Sequence, residues 1–175
     1  ILIITYQNQI AGSTNSIACL AQGLAERGHR IWVGCYQHSH LAELLKDSKV
    51  KIAPMTFKGA FDRENMCQIA TLVRAQKIDL INAQSHIDRY TTIFARWIYR
   101  LPVKIVHTRR QPPKSSGGIL QSWFYTLATD HVVTIAPEMK RILVKKGYPS
   151  SHVSVIYNGL PSERFQRVKE DDTRR

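Results

Sequence analysis

No stretch of the 175-residue sequence runs for about 18 uncharged apolar positions, the length a membrane-crossing helix needs. The apolar opening ILIITY is short, has no basic segment ahead of it and passes straight into patterned sequence, so it does not read as a signal peptide. Cysteine is scarce. Cys19, Cys35 and Cys67 are odd in number, widely spaced and set among apolar neighbours, which argues against a disulfide framework or a zinc site and fits a reducing, cytoplasmic setting. Neither G-x-G-x-x-G nor G-x-x-x-x-G-K-[ST] occurs, so a dinucleotide fingerprint and a P-loop are both missing. Acidic residues are few as well: 13 Asp and Glu face 25 Lys and Arg, for a net charge of +12. That imbalance suits anionic partners such as phosphorylated small molecules, acidic lipid surfaces or nucleic acid, and equally a plain solvated basic face.

What is present is a rhythm. Short apolar runs, ILIITY, RIWVGCY, VKIAPMTF, DLINAQ, VKIVHT, HVVTIA and VSVIYN, alternate with segments of helical spacing. Strands with little polar alternation, separated by helix-length connections, predict a doubly wound parallel sheet of about seven strands with helices on both faces. The segment STNSIACLAQGLAERGH places Ile17, Leu20, Ala21 and Leu24 at helical spacing, opens with capping residues and ends at Gly28, a suitable residue just past a helix. HLAELLKDS, ENMCQIATLVRAQK, DRYTTIFARWIYR and PEMKRILVKKG read likewise, the last with Pro137 at its first turn and Gly147 at its end. One domain is the default, over residues 1–160, with 161–175 as a charged linker.

In such a sheet, ligands sit beyond the carboxyl ends of the strands. Gly12 in AGST allows close backbone approach, and Ser13, Thr14 and the first amides of the helix offer donors to a phosphate or sugar hydroxyl; a simple turn with a cap explains the same residues. Ser85, His86, Asp88 and Arg89 follow the fourth strand and suit hydroxyl or anion recognition, or a helix cap with no ligand. His107 ends the fifth strand, followed by Thr108, Arg109 and Arg110. The imidazole could bond a sugar hydroxyl or a phosphate and an arginine could grip an anion, although a lone strand-end histidine is also a common core residue. Trp97, Tyr99, Trp123, Phe124 and Tyr125 lie among Arg96, Arg100 and Lys114, a mixture that fits a membrane interface or buried helix faces.

Four segments together carry a resemblance over nearly the whole chain: AGST with LAQGLAERGHRIWV, IDLINAQSHIDRYTTIFA, VKIVHTRR, and VSVIYNGLPSERF. They resemble the Gly-Gly loop and R-G-H turn, the D-[VI]-[IV]-x-x-H-S strand, the strand-end histidine and the I-x-N-G passage of the N-terminal domain of a family-four (group 1) retaining glycosyltransferase of the two-Rossmann-domain, B-type architecture. The resemblance implies a nucleotide-sugar co-substrate, no other cofactor, no essential metal, and attack of an acceptor hydroxyl on the anomeric carbon with retention. It implies that His107 reaches the transferred sugar and that Gly12 and Ser13 approach the donor. Thr14, Ser85, His86, Arg89, Thr108, Arg109 and Arg110 then face the acceptor, and Asn158 and Gly159 form the hinge towards a C-terminal nucleotide-sugar domain that this chain lacks. Two departures bear on the loop contacts: Ala11 stands for the usual first glycine, and Gln84 for a frequent histidine.

The expected role is the acceptor-side half of an enzyme of lipopolysaccharide, glycolipid or cell-envelope polysaccharide synthesis, inactive alone. Its partners would be a nucleotide sugar, a sugar or lipid-linked acceptor and an anionic membrane surface, with no nucleic acid, at the cytoplasmic face of the membrane. Two other classes stay in view. A nicotinamide-dependent Rossmann oxidoreductase lacks its glycine fingerprint and an acidic residue closing the second strand; a non-catalytic domain for anionic glycans or lipid headgroups needs only the basic surface.

Overall fold

In the computed structural model, residues 1–111 and 118–159 are described. Lys114, the double proline and the linker read over 161–175 lie outside them. Seven strands, β1 (Leu2–Ile4), β2 (Trp32–Cys35), β3 (Lys51–Pro54), β4 (Leu80–Ala83), β5 (Lys104–Arg109), β6 (His131–Thr134) and β7 (Val153–Val155), form one sheet in the order β3-β2-β1-β4-β5-β6-β7, and every neighbouring pair is parallel. The helices are α1 (Gly12–Glu26), α2 (His40–Leu45), α3 (Arg63–Gln76), α4 (His86–Ile98), α5 (Gly118–Ala128) and α6 (Pro137–Lys145), with a 3-10 turn at Ser150–His152. The doubly wound plan expected from the apolar rhythm is the plan observed.

Side-chain alternation distributes the helices. Along β1, Ile3 packs with Ile17 and Ala21 of α1 and Leu41 and Leu45 of α2, whereas Leu2 and Ile4 pack with Met66 and Ile69 of α3 and Ala95 of α4. Ile93 of α4 joins Tyr125, Leu143 and Val153 around Ile105 of β5, so α5 and α6 lie on the α4 face. Two helices cover one face and four the other, as right-handed crossovers require when the chain runs outward from β1 to β3 and then jumps to β4.

Local chemistry sets the ends. Asp62 caps α3 by accepting from the Glu64 and Asn65 amides, and Ser39 caps α2 by accepting from Ala42. Gly28 (φ 87°) and Gly147 (φ 97°) follow α1 and α6 in the left-handed region, where glycine avoids a Cβ clash. The start of α1 departs from the sequence reading: Ala11 stands at the cap position without a side-chain bond, and the Thr14 and Asn15 amides donate to its carbonyl. Ser13 and Thr14 therefore lie inside the first turn and do not cap it.

Candidate functional site

Because β1 and β4 are neighbours while their connections leave in opposite directions, the loops beyond them part and open a crevice. A cleft of about 410 Å³ lies there. Tyr6 and Gln7 after β1, Ser13 of α1, Gln84 to His86 after β4, and His107 to Gln111 at the end of β5 line it, with Arg89 and Tyr90 of α4 and Gln121 and Tyr125 of α5.

Asp88 is fully buried and ties two of these walls together. Its Oδ1 accepts from the Tyr6 amide at 2.9 Å, and its Oδ2 accepts from the Ser85 hydroxyl at 2.6 Å. Ser85 in turn caps α4 by accepting from the Asp88 amide. Burial pushes the carboxyl up to about 7, against the lowering effect of the bonds from Ser85 and Tyr6. Ser85 and Asp88 thus realise the helix-cap reading, and they also hold the β1 loop against α4. The ring of His86 meets Tyr6 edge-on, centroids 5.7 Å apart.

His107 sits in register with Ala83 of β4, and its Nδ1 lies 2.9 Å from the Ala83 carbonyl oxygen. A carbonyl only accepts, so Nδ1 carries the proton. The ring is buried, and burial together with the charges of Arg89, Arg109 and Arg110 holds its pKa well below the ordinary value. A neutral ring protonated at Nδ1 has a lone pair at Nε2 and can accept, not donate, there. The ring is buried, as a core residue would be, and is also part of the cleft wall, so both readings fit it.

Around it stand three guanidiniums. Arg89, 4% exposed, lies over the Tyr125 ring at 3.9 Å from the centroid. Arg109 is half-buried, and its pKa is lowered by burial and by Arg89; Arg110 is brought down to about 10 by burial and donates to Gln84 Oε1. Among the described residues, none of these three pairs with a carboxylate.

Of the residues singled out in sequence, Ser13, Ser85, His86, Arg89, His107, Thr108, Arg109 and Arg110 meet at this one cleft. The Thr108 hydroxyl is turned to Asn82, donating at 2.9 Å. Thr14 stands apart, buried and donating to the Gln9 carbonyl at 2.9 Å. A Cβ at Gly12 would meet nothing within 4 Å, so neither neighbours nor backbone strain require glycine there. Asn158 and Gly159 lie past β7, where Asn158 Oδ1 accepts from Ser16 Oγ at 2.8 Å. Tyr6, Gln7, Tyr90, Gln111, Gln121 and Tyr125 were missed as cleft residues. Tyr6 had a signal, following β1 directly; Tyr90 and Tyr125 looked like any helix aromatic.

The outer surfaces of α4 and α5 are apolar. Phe61 stacks on Phe94 at 4.4 Å between centroids, Phe94 meets Trp97, and Trp97 meets Phe124. Phe61, Trp97, Leu120, Trp123 and Leu127 are exposed. No helix among the described residues is long and apolar enough to cross a membrane.

The fold is shared with solved glycosyltransferases. A glycosyltransferase from Rickettsia africae superposes with a TM-score of 0.74 at 14% identity, over 98% of this chain and 48% of that one. Anabaena HepE in complex with UDP-glucose gives 0.71 at 14% identity over 96% and 49%, and the lipopolysaccharide outer core galactosyltransferase WaaB gives 0.61 at 14% over 91% and 45%. This chain spans about half the length of each. No curated protein matches it significantly. The model of Glycosyltransferase Family 4 matches residues 10–164, nearly the whole sequence, and the chain belongs to that family.

Proposed function

We propose that this chain is the acceptor-side half of a retaining, two-domain glycosyltransferase, residues 1–160 forming the domain and 161–175 leading towards a nucleotide-sugar domain. The observation that carries the reading is His107: its proton is committed to the Ala83 carbonyl, so Nε2 can accept from a hydroxyl of the transferred sugar at the switch point of the sheet. Gly12, with open space above it, and Ser13 lie where the donor would approach the start of α1. The α1 dipole and its uncapped start favour negative charge developing on the departing diphosphate. Crystallisation of HepE with UDP-glucose supports a uridine-type donor.

The acceptor hydroxyl attacks the anomeric carbon as the bond to the diphosphate breaks, its proton passing to the departing diphosphate oxygen, with no metal required. On the acceptor side stand Arg89, Arg109 and Arg110, with Ser85 and Thr108 serving chiefly to hold the walls. The exposed aromatics of α4 and α5 support a lipid-linked acceptor and peripheral contact with the cytoplasmic face of a membrane, in glycolipid, lipopolysaccharide or other envelope polysaccharide synthesis.

The test is transfer of labelled sugar from UDP-sugars to lipid-extract acceptors by the whole protein and by residues 1–175 alone. Transfer by the whole protein and none by the fragment is expected. Turnover by the fragment, or transfer undiminished by His107→Ala, would remove the two-domain and His107 assignments respectively.

A further inference from the structure

The β5 side of the cleft concentrates positive charge that no described residue neutralises. Arg89 is nine-tenths or more buried, yet among the described residues its Nε has no hydrogen-bond partner; the buried Nε of Arg110 and Nε2 of Gln84 likewise lack one, the Gln84 amide oxygen being already taken by Arg110. Buried polar groups are ordinarily satisfied, and a desolvated cation without an anion is costly. Among the described residues, the one buried carboxyl nearby, Asp88, is occupied by Tyr6 and Ser85, and none of the three arginines contributes to its shifted pKa. Stacking on Tyr125 fixes the plane of Arg89 without neutralising its charge.

Within this one cleft, Arg109 and Arg110 lie across from the start of α1. The α1 loop leaves from β1 and the arginines 109 and 110 from β5, with β4 between them. Two strand spacings amount to roughly 10 Å, more than one phosphate group can bridge. A substrate with one anion at α1 would leave the second positive group unanswered.

We propose that Arg89, Arg109 and Arg110, oriented by Gln84 and Tyr125, form a built seat for an oxyanion carried by the acceptor, a phosphate ester or carboxylate, distinct from the donor's diphosphate. The assignment rests on the glycosyltransferase reading and adds the chemical class of the acceptor. A neutral acceptor leaves the arginines uncompensated; an anionic one forms charge-assisted, two-pronged bonds with them.

The experiment has two arms. First, the chain is titrated with inorganic phosphate at constant ionic strength set by chloride, in wild type and in Arg89→Gln, Arg109→Gln and Arg89→Lys, with circular dichroism confirming the fold. Each Arg→Gln change is expected to weaken phosphate binding about 10- to 100-fold, and Arg89→Lys by less. Should Arg89→Gln fail to fold, Arg109→Gln, which is less buried, carries the same comparison. Second, UDP affinity of the whole protein is measured in the same variants and is expected to be unchanged.

Absence of phosphate binding in wild type, or equal binding in a folded Arg→Gln variant, overturns the seat. A fall in UDP affinity matching the fall in phosphate affinity assigns the cluster to the donor and overturns the acceptor assignment. The titration needs no turnover, so its outcome is independent of the transfer assay. Phosphate binding without sugar transfer tells against the transferase reading alone. Transfer without phosphate binding tells against this seat alone.

Discussion

Asp88→Asn tests whether the strut between the β1 loop and α4 works as a neutral group. Asparagine preserves the shape: its Oδ1 can accept from Tyr6, and its amide can donate to the Ser85 hydroxyl. The aspartate, by contrast, titrates. Burial raises its folded pKa from the ordinary 3.8 to about 7, about three units, and at about 1.4 kcal/mol per unit this amounts to about 4 kcal/mol. Because the folded value lies above the unfolded one, the stabilisation is complete below about pH 4 and disappears as pH rises through about 7. Wild type should therefore lose stability relative to Asp88→Asn across that window, the two approaching parity below about pH 4 and the variant leading by up to about 4 kcal/mol near pH 8.5. Urea unfolding of both proteins at each pH measures this, and taking the difference removes the titration of every other group. Parallel profiles, or a wild type that gains on the variant as pH rises, would refute the reasoning.

Several other outcomes are expected. His107→Ala should lower kcat/KM for sugar transfer about 10- to 100-fold, the value of one hydrogen bond to substrate. Since the ring is already neutral, the pH profile between 6 and 8 should show no step that disappears in the variant. Asp130 accepts from the Ile105 amide at 2.9 Å and pairs with Arg96 and Lys104 at the opposite end of β5, so Asp130→Ala should cost about 2 kcal/mol in urea unfolding. Burial there raises the carboxyl pKa, but Ile105, Lys104 and Arg96 outweigh it and the net shift is downward. This stabilisation is thus present above the unfolded pKa and lost as pH falls through the folded one. A Cβ on Gly34 would lie 2.7 Å from Met55 Sδ, so Gly34→Ala should cost about 1–2 kcal/mol and Met55→Ala in the same chain should relieve the clash, read as a non-additive double-mutant cycle. Leu120→Ser with Trp123→Ser should weaken sedimentation with anionic vesicles several-fold while leaving the melting temperature nearly unchanged, because both side chains are largely exposed.

The sheet was legible because strands buried on both faces need continuous apolar runs, and Ile3, Ile4, Ile81 and Ile105 supplied them. α3 and α6 were legible through periodicity and through Pro137 and Gly147. α5 was not readable as an amphipathic helix. It buries Tyr125 and Ala128 but also hides Ser122, and it turns Leu120, Trp123 and Leu127 outward, inverting the pattern by which a surface helix is recognised. At the cleft, residues shortly after strands, Arg89 among them, were found because topology places them there. Tyr90 and Tyr125 reach it only through the packing of α4 against α5, which no local window reveals. The caps misled at α1, where Ser13 and Thr14 have capping chemistry and the backbone turns two residues earlier.

The bond between Ser16 and Asn158 joins two distant parts of the chain. It fastens the segment that leaves β7 to the helix whose first turn borders the cleft, so loss of either side chain would release that segment from α1.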